Sequence, residues 1–225
     1  MTVQAGARTL ELDGAGEAAD LVGFLGRLLH YDRAAAVRLQ AQGGALAVFG
    51  RPPSFDVLAV RTARLARPAE LDATVSAGEL LEAVDGATGA VPVPQAVTGP
   101  PWAGLLPPRG GWRQLTDGVP DAAAMRGVVT AAVAEFRARD EELAPEVRTR
   151  EARDRIGRDI WSRTLGTTEL PLRAVHAAQS LGFLRPDVPV ALLSAGGWLR
   201  LRTPYGSVSV RRTTGGLGAL SVAPA

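Results

Sequence analysis

The chain contains no lysine, no cysteine and no asparagine, so all 25 of its basic side chains are arginines. The absence of lysine excludes Schiff-base chemistry, a pyridoxal anchor and the lysine of a phosphate-binding loop. The absence of cysteine excludes thiol nucleophiles, disulfides and cysteine-ligated iron–sulfur or zinc sites. A GC-rich genome would produce the same composition, so the number of arginines is not by itself evidence of function.

Aromatic residues make up only 5% of the 225 residues, so the core must consist mainly of valine, leucine and alanine. The formal net charge is only +2, and no block of like charge is typical of a nucleic-acid-binding tail. The N-terminus lacks the apolar core of a signal peptide, and no apolar stretch is long enough to span a membrane. These absences predict a soluble, cytoplasmic protein without a membrane partner.

The first part of the chain predicts an α+β domain with an antiparallel sheet. Residues 7–13 read as a strand, and residues 17–30 as a helix. Gly43-Gly44 is typical of a hairpin turn, which would place Leu39 opposite Val48 and Ala41 opposite Leu46. A further strand is predicted over 55–65, and the capping box Ser76–Glu79 predicts a helix through Val84.

Six prolines between Val91 and Trp112 exclude a helix or a central strand there. Because Trp102, Leu106 and Trp112 are poor choices for a solvated linker, we expect an extended strap over a surface. This segment sets the predicted organisation: a domain at 1–90, a strap or linker at 91–118, a helical domain ending in a β-meander at 119–212, and a flexible tail at 213–225.

The second domain is predicted to be helical and then to turn to strand. The helices are expected at 121–143, 149–165 and 172–181, each with an apolar stripe. The strands are expected at 190–195, 198–203 and 207–212, which gives a three-strand, winged-helix-like meander.

No catalytic or cofactor motif survives comparison with its structural alternative. Gly14-Ala15-Gly16 superficially matches a dinucleotide loop, but the antiparallel hairpin after it is incompatible with that fold. His30 and His176 are the only histidines, which rules out a three-histidine metal site. His176 and Ser180 lie inside one helix, where a serine has no exposed elbow or oxyanion donors. We therefore expect no metal, no cofactor and no enzymatic activity, unless His30 and Asp32 meet another acid in a deep cleft.

The predicted C-terminal sheet carries the main candidate site. The Gly196-Gly197 turn places Leu199 and Leu201 on the buried face, so the opposite face must carry Trp198, Arg200, Arg202 and Arg211. Guanidinium groups beside an indole suit a protein partner or a nucleic acid, but equally a solvated face or one that packs on the first domain. Secondary candidates are Arg173, His176 and Gln179 of the third helix, and Tyr31, Asp32 and Arg33 after the first.

Four segments resemble an uncharacterised two-domain family of high-GC actinobacteria, which implies no known activity. They are Leu29-His30-Tyr31-Asp32-Arg33, the run Phe55–Arg61, the run Trp102–Trp112, and Trp198–Leu201 continuing to Tyr205-Gly206.

The helix at 172–181, with Leu181–Leu184 and the ribbon after it, is similar to the recognition helix and wing of winged-helix DNA-binding domains. This helix departs from the pattern because its surface is rich in alanine. The leading prediction is a non-catalytic interaction or regulatory protein that binds another protein, and the alternative is a regulator that binds duplex DNA. The sequence does not predict an oligomeric state.

Overall fold

The computed structural model describes residues 8–53, 55–100, 102 and 106–212, so the predicted tail at 213–225 lies outside the described residues. Within them the α-helices are α1 (Ala15–Tyr31), α2 (Ala77–Ala83), α3 (Ala122–Glu141), α4 (Arg150–Ser162) and α5 (Leu172–Ser180), and a short 3-10 helix spans Pro145–Val147. The strands are β1 (Thr9–Glu11), β2 (Ala36–Gly50), β3 (Leu58–Ser76), β4 (Ala90–Pro92), β5 (Arg113–Leu115), β6 (Ala191–Ala195), β7 (Trp198–Thr203) and β8 (Gly206–Arg211). The predicted α+β class is confirmed.

Side-chain caps account for where α2, α3 and α4 begin. The side chain of Ser76 accepts a hydrogen bond from the Glu79 amide at the start of α2, as the capping box predicts. Asp121 accepts from the Ala124 amide at 2.7 Å to begin α3, and Thr149 accepts from Ala152 at 3.2 Å to begin α4. No helix within the described residues is long and apolar enough to cross a membrane.

The predicted hairpin turn at Gly43-Gly44 is wrong, because β2 runs straight through these residues and pairs with β3 along its whole length. Leu39 lies opposite Ala73 and Val48 opposite Arg61, and the register shifts between Gly43 and Ala45. Gly43 has a φ of +58°, which a glycine adopts without strain at a β-bulge. A bulge changes which alternate residues face the core, so Leu39 and Val48 are both buried although they do not pair.

The strand predicted over 55–65 begins at Leu58 and continues to Ser76. Pro68 did not end it, because residues 65–68 fall in the irregular stretch where the β2–β3 pairing shifts.

One six-stranded antiparallel sheet joins the two halves of the chain, in the order β2-β3-β8-β7-β6-β5. The join is the pairing of Leu58–Val60 in β3 with Ser207–Ser209 in β8. The predicted meander of β6, β7 and β8 is confirmed, with Leu199 opposite Val210 and Leu201 opposite Val208.

Helices α1 and α5 pack on one face of this sheet, α3 and α4 pack on α5, and all of them contribute to a single core. Leu21, Phe24, Leu25 and Leu28 of α1 are all buried, at the helical spacing that the sequence predicts. Phe24 stacks on Phe183, with ring centroids 5.5 Å apart, so the core continues from the first half into the second. The face without α1 and α5 is called the outer face below.

The proline-rich segment contacts the sheet through its tryptophans. Trp102 is 7% exposed and its indole Nε1 donates to Thr74 Oγ1 at 3.0 Å. Trp112 is half-buried and donates to the carbonyl of Pro108 at 2.9 Å. The strands at the two ends of the proline-rich segment, β4 and β5, each have three residues and lie at sheet edges. Proline cannot donate a hydrogen bond to a neighbouring strand, so the segment cannot form a central strand.

Candidate binding groove and arginine cavity

The four residues of the main candidate site lie on the outer face of the meander. Trp198 pairs with Arg211 across β7 and β8, while Arg200 and Arg202 pair with Ser209 and Ser207. This is the register that the Gly196-Gly197 turn predicts. The role of these residues as a binding surface stays a prediction.

Arg200 is held in place by two neighbours. Its guanidinium lies 3.9 Å from the ring centroid of Trp112, and its Nε donates to Ser209 Oγ at 3.2 Å. Burial, and after it the charge of Arg202, lowers the pKa of Arg200. Arg200 is therefore partly desolvated and lies near the exposed cation Arg202, and a bound anion would relieve the repulsion between them.

A groove of about 800 Å³ runs over the outer face and brings Arg200 and Arg202 next to residues from the first half of the chain. Phe49 of β2 and Val60 of β3 supply apolar surface, and the strap residues Leu106–Arg109 form a border. The charged lining comprises Arg8, Arg109, Arg200, Arg202, Glu70 and Asp72.

The carboxylates of the groove already have partners. Arg38 donates to both oxygens of Asp72 at 2.8 Å, and these hydrogen bonds are the main reason that the pKa of Asp72 is lowered. Glu70 accepts from the Gly43 amide at 3.3 Å. The groove therefore combines four arginines with two engaged carboxylates and an apolar base, an arrangement suited to an elongated acidic ligand.

A second, smaller cavity of about 110 Å³ lies at the end of the same sheet and is called the arginine cavity. Trp198 and Arg211 of the main candidate site line it together with Arg173 of α5, a secondary candidate. Arg51 and Asp56, from the connection between β2 and β3, complete its charged lining. The sequence did not predict that residues from three separate segments would meet here.

The other secondary candidates belong to a packed aromatic chain. His176 lies between Phe55, at 5.0 Å, and Trp161, at 4.3 Å between ring centroids, and Tyr31 packs on the other side of Phe55 at 5.1 Å. Burial lowers the pKa of His176. This chain joins α1, α4 and α5, which indicates a packing role.

The residues around this chain do not converge on a cleft. Asp32 Oδ1 accepts from the Ala34 amide at 2.9 Å, and Arg33 and His30 are exposed. Gln179 is half-buried. None of the four lines the groove or the arginine cavity.

A buried arginine, Arg61, lies at the junction of the two halves and was not among the residues predicted from the sequence. Arg61 Nη2 lies 2.9 Å from Glu17 and 3.2 Å from Asp20, while its Nη1 donates to the Tyr205 carbonyl at 3.0 Å. The sequence contained a signal for this cluster, because Arg61 shares the core-facing side of β3 with Ala59 and Ala63. A charge at that position requires a buried partner.

Two sequence matches cover most of the chain. Residues 5–104 match a domain of unknown function, DUF8010, and residues 107–215 match a second domain of unknown function, DUF8185. No curated protein matches the chain. The chain therefore has a two-domain arrangement of domains of unknown function, and β3 and β8 pair across the junction of the matched segments.

Proposed function

We propose that this protein is a non-catalytic binding protein of the cytoplasm, and that its groove holds an extended acidic segment of a partner protein. The observation that carries the proposal is the groove of about 800 Å³, where four arginines surround an apolar base. The predicted boundaries at 90 and 118, the actinobacterial origin and the cytoplasmic location stay predictions.

The lining favours an acidic peptide with some apolar side chains. Phe49, Val60 and Leu106 offer apolar contacts, and the arginines stand around them. Guanidinium groups bind carboxylates in bidentate geometry, so acidic side chains of the partner would set its register. The groove uses both halves of the chain, so the partner would recognise only the folded protein.

The DNA-binding alternative gains no support from α5. Each of residues 172–180 is buried or half-buried, whereas a recognition helix presents exposed side chains to the major groove. The ribbon of β7 and β8 that follows α5 is also not a free wing, because β8 pairs with β3 within the six-stranded sheet. Titration of a labelled generic duplex at low and moderate salt tests this alternative directly, because nucleic-acid binding must weaken steeply with salt.

The test of the groove uses a fluorescent peptide in which glutamate and leucine alternate, with binding followed by anisotropy. Replacing Arg200 and Arg202 together by serine should weaken binding by about tenfold or more, since each charge-assisted hydrogen bond contributes roughly 1.5–3 kcal/mol. Arg202 is exposed, so Arg202→Ser alone should change stability by no more than about 0.5 kcal/mol.

The matched control replaces Arg155 and Arg158, two exposed arginines of α4, by serine. This pair removes the same charge from a surface outside the groove and should leave binding unchanged. Equal losses in the two double variants would mean that only net charge matters, and the groove proposal would then be wrong. A peptide alternating lysine and leucine should not bind.

A further inference from the structure

The arginine cavity is independent of the groove and has the chemistry of an anion site. Three guanidinium groups and one carboxylate line it, which leaves an excess of positive charge in about 110 Å³. Asp56 neutralises little of that charge, because its side chain is 80% exposed and its nearest contact with Arg51 is 3.8 Å.

Arg173, which lines the cavity, carries an unsatisfied hydrogen-bond donor. Its Nε atom is buried, and it has no hydrogen-bond partner among the described residues. A buried donor without an acceptor is costly, and unlike the similarly unsatisfied Nε of Arg61, which belongs to a buried ion-pair cluster, Arg173 lines an open cavity. An oxyanion in the cavity would supply that acceptor.

The remaining lining suits a tetrahedral oxyanion. The guanidinium of Arg211 lies over the indole of Trp198, 4.6 Å from the ring centroid, which gives the cavity a rigid side. Ser209 also lines the cavity and is fully buried, with its hydroxyl oxygen fixed by Arg200. A phosphate group carries about −1.5 to −2 charges and three strong acceptor oxygens, which matches three arginines and one carboxylate better than a single carboxylate would.

We propose that the arginine cavity binds a phosphate group, bidentately through Arg51 and Arg173 and with further contact from Arg211. Arg51 comes from the first matched segment, and Arg173 and Arg211 come from the second. The bound phosphate therefore bridges the two halves of the chain. It stabilises their junction and makes the folded protein responsive to a phosphorylated ligand.

The experiment follows the indole N–H signals of the four tryptophans by NMR during titration of the full chain with inorganic phosphate at constant ionic strength. Trp198→Phe assigns the signal of the cavity tryptophan. The chemical shift of that signal should change with phosphate concentration and reach a plateau. Trp102, whose indole is hydrogen-bonded to Thr74, and Trp161, which stacks on His176, serve as internal references. Acetate, which presents one carboxylate, should bind about tenfold more weakly or worse.

Two charge-removing variants locate the site. Arg173→Gln and Arg51→Gln should each weaken phosphate binding by at least about tenfold, because each removes the charge-assisted hydrogen bonds of one guanidinium. Arg155→Gln removes the same charge from the exposed surface of α4 and should have no effect. Arg51 has 45% of its side chain exposed, so its variant keeps the test valid even if Arg173→Gln perturbs folding.

Phosphoserine peptide and ribose 5-phosphate, titrated in parallel, distinguish a phosphoprotein from a small phosphate ester as the source. If the phosphoserine peptide or ribose 5-phosphate binds more tightly than inorganic phosphate, the proposal is supported and the class of natural ligand is identified. The proposal is overturned if the Trp198 signal does not saturate with phosphate, or if both cavity variants bind phosphate as the wild type does.

Discussion

Replacing Arg61 by leucine should destabilise the protein far more than replacing any exposed arginine. Arg61 is 4% exposed and contacts two carboxylates that are themselves mostly buried, with Glu17 at 16% and Asp20 at 27% exposure. It also donates to the carbonyl of Tyr205 in the turn between β7 and β8. One side chain therefore ties α1 and β3 to the second half of the chain.

The expected loss in the free energy of unfolding depends on which ion pairs Glu17 and Asp20 keep without Arg61. Removing one member of a buried ion pair costs roughly 3–5 kcal/mol, because the other charge stays buried without its partner. Asp20 keeps Arg185, whose Nη2 lies 2.9 Å away, and Glu17 keeps only a 3.5 Å contact with exposed Arg64. We therefore expect the lower end of the range, about 3 kcal/mol, or roughly 6–12 °C in Tm for a chain of this size.

Urea unfolding followed by circular dichroism and tryptophan fluorescence measures this cost. Arg64→Leu is the matched control, because Arg64 is on the same strand and contacts the same Glu17 but has 74% of its side chain exposed. The control should lose no more than about 1 kcal/mol. In a Glu17→Gln background the cost of Arg61→Leu should shrink, since no buried charge is then stranded. A cost for Arg61→Leu equal to that of Arg64→Leu would refute the reasoning.

Two further predictions concern packing and pH. Gly206→Ala should cost about 1–3 kcal/mol in urea unfolding, because an added Cβ would meet the Phe183 ring at 2.6 Å, whereas Gly197→Ala, with no atom within 4 Å, should be nearly neutral. Burial lowers the pKa of His176 below its ordinary 6.5, so the unfolded chain binds more protons and the free energy of unfolding falls as pH drops below 6.5. His176→Phe keeps a packed ring and should lose that part of the pH dependence in thermal melts between about pH 7 and pH 5.

Each of these has a result that contradicts it. Equal stability of the two glycine variants would mean that Phe183 moves aside at little cost. Parallel melting curves of the wild type and His176→Phe over that pH range would mean that His176 is not the group that titrates.

The groove and the arginine cavity each combine residues placed by local rules with residues brought in by tertiary contacts. The outer-face positions of Trp198, Arg200 and Arg202 follow from one turn and the two-residue period of a strand, which are local rules. The meeting of Arg202 with Phe49, or of Trp198 with Arg173, depends on which strands and helices become neighbours. No local rule supplies that information, so the residues predicted from the sequence include only Arg200 and Arg202 of the groove lining, and only Trp198, Arg211 and Arg173 of the cavity lining.

The five α-helices, the capping box of α2 and the β-meander were predictable from the sequence, because those features depend on side-chain spacing and on hydrogen bonds within a few residues. At Gly43-Gly44 the glycine pair predicted a hairpin turn, which is wrong. A turn and an irregularity in strand pairing both shift the alternation of core-facing residues, and the pairing of β2 with β3 shows that this is the latter. Only the tertiary structure decided that β3 and β8 join two halves into one sheet, because strand pairing depends on contacts between residues far apart in the chain.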